Sequence, residues 1–237
     1  MSPRLVFAPK PGFRPLPKVD LLIVVGLTGV GKTSFTRQLG WPLLPNRRWL
    51  VDSYVLPRLG ADPEGLDRKE RFELTARWRN QNPGGLAAAL AAAYVEPVWP
   101  LVFDGLRGEG EVAYARRRFP AARFVVLEAP LRVRLERLLG RADAFDRARV
   151  SASDGERLLE LAAGLLSAAE VEELLNAHPA SALAEKLQII AAEQQNYHPD
   201  GPRRTLAGCR RALFIDTTTL TPPQAARRVR EWLEVEE

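Results

Sequence analysis

Residues 20–34 read DLLIVVGLTGVGKTS, an apolar run that ends on a glycine-rich loop and continues into a segment of helical character. An apolar run without alternation suits a strand covered on both faces. Gly26, Gly31, Lys32 and Thr33 meet the spacing G-x-x-x-x-G-K-[ST], with a further glycine at Gly29. Glycines at these places let backbone N–H groups turn inward around anionic oxygens without Cβ clashes. The helix that follows points its positive N-terminus at the same anion. In this setting Lys32 is placed to reach the outer phosphates of a nucleotide, and the Thr33 hydroxyl to ligate Mg²⁺.

The rest of the chain must supply a sheet around that strand. Four more apolar runs read as strands: Trp49–Val51, Pro100–Phe103, Arg123–Leu127 and Ala212–Ile215. Helical segments separate them at Lys32–Leu39, Arg68–Arg79, Leu86–Val95 and Leu131–Leu139. A final helix opens at Thr221-Pro222-Pro223-Gln224 and runs to about Val235. Strands separated by helices predict a three-layer α/β fold with a parallel sheet. Residues 1–18 are punctuated by proline and read as an extended arm, leaving 19–237 as one domain. Between 142 and 208 no strand is evident. Capping boxes at Ser153-x-x-Glu156 and Ser167-x-x-Glu170, and the pattern over Ala180–Gln195, predict a helical insertion there.

Composition narrows the function classes. A single cysteine, Cys209, excludes intrachain disulfides and a Cys-rich zinc site. No apolar stretch approaches the roughly 20 residues of a membrane helix, so a cytoplasmic setting without a membrane partner is expected. The net charge of +5 comes from 34 basic against 29 acidic residues. That balance admits a nucleic-acid partner or a pocket for phosphates. The arginine clusters, such as Arg116-Arg117-Arg118 and Arg210-Arg211, are short and read as solvated helix faces. His178 and His198 read as structural.

A magnesium-bound triphosphate needs a second anionic anchor, and PLVFDGLRG supplies one in Asp104, at the end of an apolar run. Gly105 follows where water-activating ATPases place glutamate. The chain has no N-K-x-D guanine reader. Transfer to a bound acceptor therefore fits better than hydrolysis or switching.

With these residues in view, the chain resembles the nucleotide-kinase branch of P-loop proteins, the adenylate kinase-like phosphotransferases. FDGLR looks like that family's strand-end D-G-F-P-R, one residue shorter. ERLLGR, Glu136 to Arg141, is similar to the sequence leading into its mobile lid. ALFIDTTTLTPPQAARRVREWL resembles its closing strand, adenine-side loop and last helix. The resemblance implies a P-loop NTPase fold with a five-stranded parallel sheet in the order 2-3-1-4-5 and a lid over 142–208. The cofactors it implies are ATP and Mg²⁺.

It also implies roles. Gly26, Thr28, Gly29, Val30, Gly31, Lys32, Thr33 and Ser34 would hold the donor phosphates, with Thr33 and Asp104 on the metal. Arg107 would bind an anion on the acceptor, Arg137 would lie against adenine, and Arg141 would contact the transferring phosphate. Arginine suits these tasks because its planar fork stacks and grips oxyanions bidentately. Asp52, ending the expected second strand in WLVDSY, would face the acceptor hydroxyl and orient it or take its proton. Arg58 would read an acceptor anion, the acceptor side spanning 53–98, and Asp146 would pair with a lid arginine.

The expected function is thus ATP- and Mg²⁺-dependent transfer of the γ-phosphoryl group to a small acceptor, with a nucleoside or nucleotide leading. Two alternatives stand beside it: a polynucleotide 5′-end kinase, and a nucleotide-binding regulatory module without catalysis.

Overall fold

Four of the five expected strands form in the computed structural model, which describes residues 3–140, 158 and 160–235. The elements in chain order begin with β1 (Leu5–Val6), β2 (Arg14–Pro15), β3 (Leu22–Val25), α1 (Lys32–Leu39), α2 (Arg47–Leu50) and α3 (Leu56–Arg58). Then come α4 (Arg68–Gln81), α5 (Gly85–Ala91), β4 (Tyr94–Val95), β5 (Val102–Leu106), α6 (Glu109–Arg118), β6 (Arg123–Glu128) and α7 (Leu131–Leu139). The chain continues with α8 (Ala168–Ala177), α9 (Ala180–Gln194), α10 (Gly201–Leu206), β7 (Ala212–Asp216) and α11 (Pro222–Val235).

The main sheet is parallel, in the order β5-β3-β6-β7. All four residues of β3 are buried, so the lack of alternation in LIVV reflects two covered faces. Leu21, Ile23 and Val25 join a core with α5 and α6 through Leu86, Leu90 and Val112. Leu22 and Val24 point the other way, to Phe35 and Leu39 of α1 and Val229 of α11. A third cluster joins Leu135 and Leu138 of α7 to Val171 and Leu174 of α8 and Leu183, Leu187 and Ile190 of α9.

The expectation of a five-stranded parallel P-loop sheet in the order 2-3-1-4-5 is overturned. The sheet has four strands, and a separate antiparallel sheet of three stands beside it, in the order β1-β4-β2. Trp49–Val51, expected as the second strand, is helical. The Asn46 side chain accepts a bond from the Trp49 N–H at 3.0 Å and caps α2, which passes into a wide helical turn over Val51–Val55. Leu50, Val51, Val55 and Leu56 share one buried face of that turn. Where the fifth strand would lie, a single parallel bridge joins Leu43 to Val102. Pro42 and Pro45 flank it, and a residue without an N–H cannot extend a ladder.

Residues 3–18 are more than an extended arm. β1 and β2 both pair with β4, at Leu5–Val95 and Arg14–Val95, and Leu16 is fully buried in the main core. The segment expected as one helix over 86–95 stops at Ala91 and ends as β4. Within the expected insertion, the described residues form helices and no strand. The Ser167–Glu170 capping box is present, whereas Ser153–Glu156 lies outside the described residues. Among the described residues no helix is long and apolar enough to cross a membrane.

Candidate active site

Between β3 and α1 the chain makes its glycine loop, at the carboxyl edge of the sheet, where open α/β sheets place their ligand crevices. Gly29 and Gly31 have φ of 86° and 93°, in the left-handed region that favours glycine. Close approach adds a second constraint at Gly29, where a Cβ would lie 2.7 Å from the Arg134 carbonyl oxygen. Gly31 caps α1 with no side-chain bond to the first-turn N–H groups. Thr33 and Ser34, in that first turn, are exposed.

Lys32 folds back across the loop and donates from Nζ to the Gly26 carbonyl at 2.6 Å and the Leu27 carbonyl at 3.0 Å. Burial, reinforced by the Arg107 and Arg134 guanidinium groups, lowers its ammonium to about 7. Glu193 and Asp104 pull the other way. Asp104 lies within β5, half-buried, on the strand beside β3. Ile23 pairs with Phe103 but Val25 pairs with Leu106, so β5 carries one extra residue at Asp104-Gly105. A bulge of this kind re-aims a side chain. Gly105 is needed there, since a Cβ would lie 2.3 Å from the Phe103 ring.

Three arginines converge on the loop. Arg134, almost fully buried, donates from Nε to the Thr28 carbonyl at 2.7 Å. Its burial, and less so the Arg107 charge, hold Arg134 below its ordinary value, with Glu193 opposing. Arg137, one turn on, reaches the Gly29 carbonyl at 3.4 Å and binds Thr217, just past β7, through its hydroxyl at 2.8 Å and its carbonyl at 2.6 Å. Arg107 follows β5, and its guanidinium donates to Glu193 at 3.0 Å.

Behind Arg107 lies a buried brace. The Glu111 carboxylate accepts from Arg47 at 2.9 and 3.1 Å, from the Arg107 N–H at 3.0 Å and from the Leu86 N–H at 3.2 Å. Arg47 also donates to the Gly105 carbonyl at 2.9 Å and to the Tyr197 hydroxyl at 2.6 Å. The brace thus fixes the backbone on both sides of Leu106, where Asp104 and Arg107 must be aimed.

Sequence reasoning missed Glu193, which α9 brings to the loop across 165 residues of chain. Its carboxylate accepts the Thr28 N–H at 2.9 Å and the Thr28 hydroxyl at 2.8 Å. A signal was present: Leu183, Leu187 and Ile190 form a buried stripe on α9, and Glu193 continues it with a charge. Arg134 lies in the same helix as Arg137, one turn before it.

Asp52 and Arg58 are engaged elsewhere. The Asp52 carboxylate is in the helical turn after α2, paired with Arg71 and, at 3.7 Å, with Arg48. The strand end expected to aim it at an acceptor does not exist. Arg58 stacks over the Tyr54 ring at 3.4 Å and donates to the Tyr54 carbonyl. Arg141 and Asp146 lie outside the described residues.

A cavity of about 410 Å³ opens beside the loop, between Gly26, the end of β6, the start of α7 and the Pro199–Arg203 segment. Leu27, Val126, Leu127 and Leu131 give it apolar walls, while Arg107, Arg134 and Arg203 line it as cations and Glu128, Asp200 and Asp216 as carboxylates. Among the described residues, no three His, Cys, Asp or Glu side chains form a metal-binding group. A Thr33–Asp104 pair holding Mg²⁺ would therefore rely on phosphate oxygens and water for its remaining ligands, as magnesium sites commonly do.

A scan against protein-family models and a search of curated proteins find no match to the chain.

Proposed function

We propose that the chain is an ATP- and Mg²⁺-dependent kinase, transferring the γ-phosphoryl group to a small acceptor, with a nucleoside or nucleotide as the leading class. One observation carries this reading: the Thr28 N–H of the glycine loop, Arg107 and Arg134 all donate to one oxyanion, the Glu193 carboxylate, and the Lys32 ammonium lies within the same set of charges. Phosphoryl transfer needs little beyond such positioning and charge neutralisation. Thr33 and Asp104 are the residues that would hold Mg²⁺, which when bound would neutralise charge on the phosphate oxygens. Lys32 would leave the Gly26 and Leu27 carbonyls for those oxygens. Arg137, which bonds Gly29 and Thr217, would flank a base.

The adjoining cavity, of about 410 Å³, is of small-molecule size, which favours a small acceptor over a polymer. A cytoplasmic setting, where ATP is plentiful, belongs to the same proposal. The test is an acceptor screen that follows phosphate transfer from ATP across nucleosides, nucleotides, sugars and oligonucleotides. Lys32→Ala and Asp104→Asn should each remove transfer while leaving the far-ultraviolet spectrum and unfolding midpoint near wild type. Full turnover in either variant would sink the proposal.

A further inference from the structure

Glu193 is placed where a ligand of this loop would bind. It is 5% exposed, and its partner Arg134 only 2%. Its two oxygens take the Thr28 N–H at 2.9 and 3.1 Å, the Thr28 hydroxyl at 2.8 Å, Arg107 at 3.0 Å and Arg134 at 2.5 Å. These are the donors a phosphoryl group would use: a loop N–H, a hydroxyl and two guanidinium forks. Among side chains, a carboxylate comes closest to a phosphate in charge and acceptor geometry. The charged groups gathered here are the Arg107 and Arg134 guanidiniums and the Lys32 amine, with the Asp104 and Glu193 carboxylates.

We infer that Thr28, Arg107 and Arg134 form a phosphoryl-oxyanion subsite that Glu193 fills in the free protein. A phosphoryl group and the end of α9 therefore compete for the same donors. The carboxylate is enclosed between the loop and both arginines, so an incoming phosphate must push the last turn of α9 outward. Two neighbouring contacts keep that turn tethered: Asn196 accepts from Arg79 at 2.7 Å, and Tyr197 from Arg47 at 2.6 Å. This inference rests on the kinase reading for the identity of the anion, and on the loop geometry for the competition itself. The oxyanion has two possible sources, the donor's terminal phosphate or a phosphate on the acceptor.

The experiment is backbone hydrogen exchange over residues 187–197 of the wild-type protein, with Mg²⁺ and either ATP, ADP or inorganic phosphate, beside equilibrium binding of each. Faster exchange with ATP but not with ADP assigns the subsite to the donor's terminal phosphate. Faster exchange with inorganic phosphate alone assigns it to the acceptor. Glu193→Gln should tighten binding of the responsible ligand by about tenfold or more, the scale of removing one like-charge contact from a poorly solvated site. ADP binding should shift by less than about threefold if the donor's terminal phosphate is responsible. If the ligands bind and the exchange of α9 is unchanged or slowed with all three of them, Glu193 is a fixed counterion that positions the arginines, and the inference is overturned while the kinase reading stands. If the exchange responds but the acceptor screen yields no phosphorylated product, the kinase reading falls and the subsite remains. Absence of binding by all three ligands, in wild type and in Glu193→Gln, overturns both.

Discussion

An ammonium group enclosed beside guanidinium groups gives up its proton more readily than one in water, and Lys32 has such neighbours in Arg107 and Arg134. Its folded value near 7 stands against an ordinary 10.5. Between those values the unfolded chain binds more protons than the folded one, so this group's contribution to stability rises with pH across that window. The sign for ligand binding is the reverse. Lys32 is largely neutral at pH 8, and an arriving polyphosphate restores its charge, so binding takes up a proton and weakens as the pH rises above 7. Calorimetry at pH 8 in buffers of differing ionisation heat should show an uptake approaching one proton per ADP bound, and Lys32→Gln should abolish it. Equal heats in all buffers would count against a neutral Lys32. The loop residues were legible from sequence because they are contiguous and each has a local reason to be there. Glu193 was not, because its partners meet it only in three dimensions.

Among the elements, α2 and α6 show how a buried charge pair can organise a site from behind. Arg47 and Glu111 tie α2 to α6 while their remaining bonds hold Gly105, Arg107 and Leu86. Glu111→Ala leaves Arg47 and two backbone N–H groups without that acceptor, at a cost of about 3 kcal/mol. Urea unfolding would register the loss, and nucleotide binding should fall with it because Arg107 loses its anchor. A wild-type midpoint would show that the brace is dispensable. The elements that sequence reading located share a trait: runs such as LIVV and RFVVL are long enough to reveal their pattern. Trp49–Val51 offered three apolar residues, too few to separate a strand from a helix turn, and the deciding signal was the Asn46 cap. The strands β1, β2 and β4, of two residues each, show no periodicity at all.

At the scale of the molecule, the first residues of the chain are part of its main core. Leu5 and Leu16 pack in the same cluster as Ile23, Phe103 and Phe124. Leu16→Ala should therefore lower stability by about 2–5 kcal/mol, the range for emptying a fully buried leucine site. The loss should appear within one cooperative transition, followed by circular dichroism and tryptophan fluorescence together. Separate midpoints for the two probes would mean that the N-terminal sheet melts as its own unit. The single bridge at Leu43 has a different consequence, for the company this chain keeps at high concentration. An uncovered edge strand invites the strands of other chains to add to it. On the outer side of β5, Pro42–Leu44 occupies Val102, and Arg47 takes the Gly105 carbonyl. A short bridge and a guanidinium group thus occupy groups of β5 that another chain's strand would need, so this edge offers less of a template for aggregation.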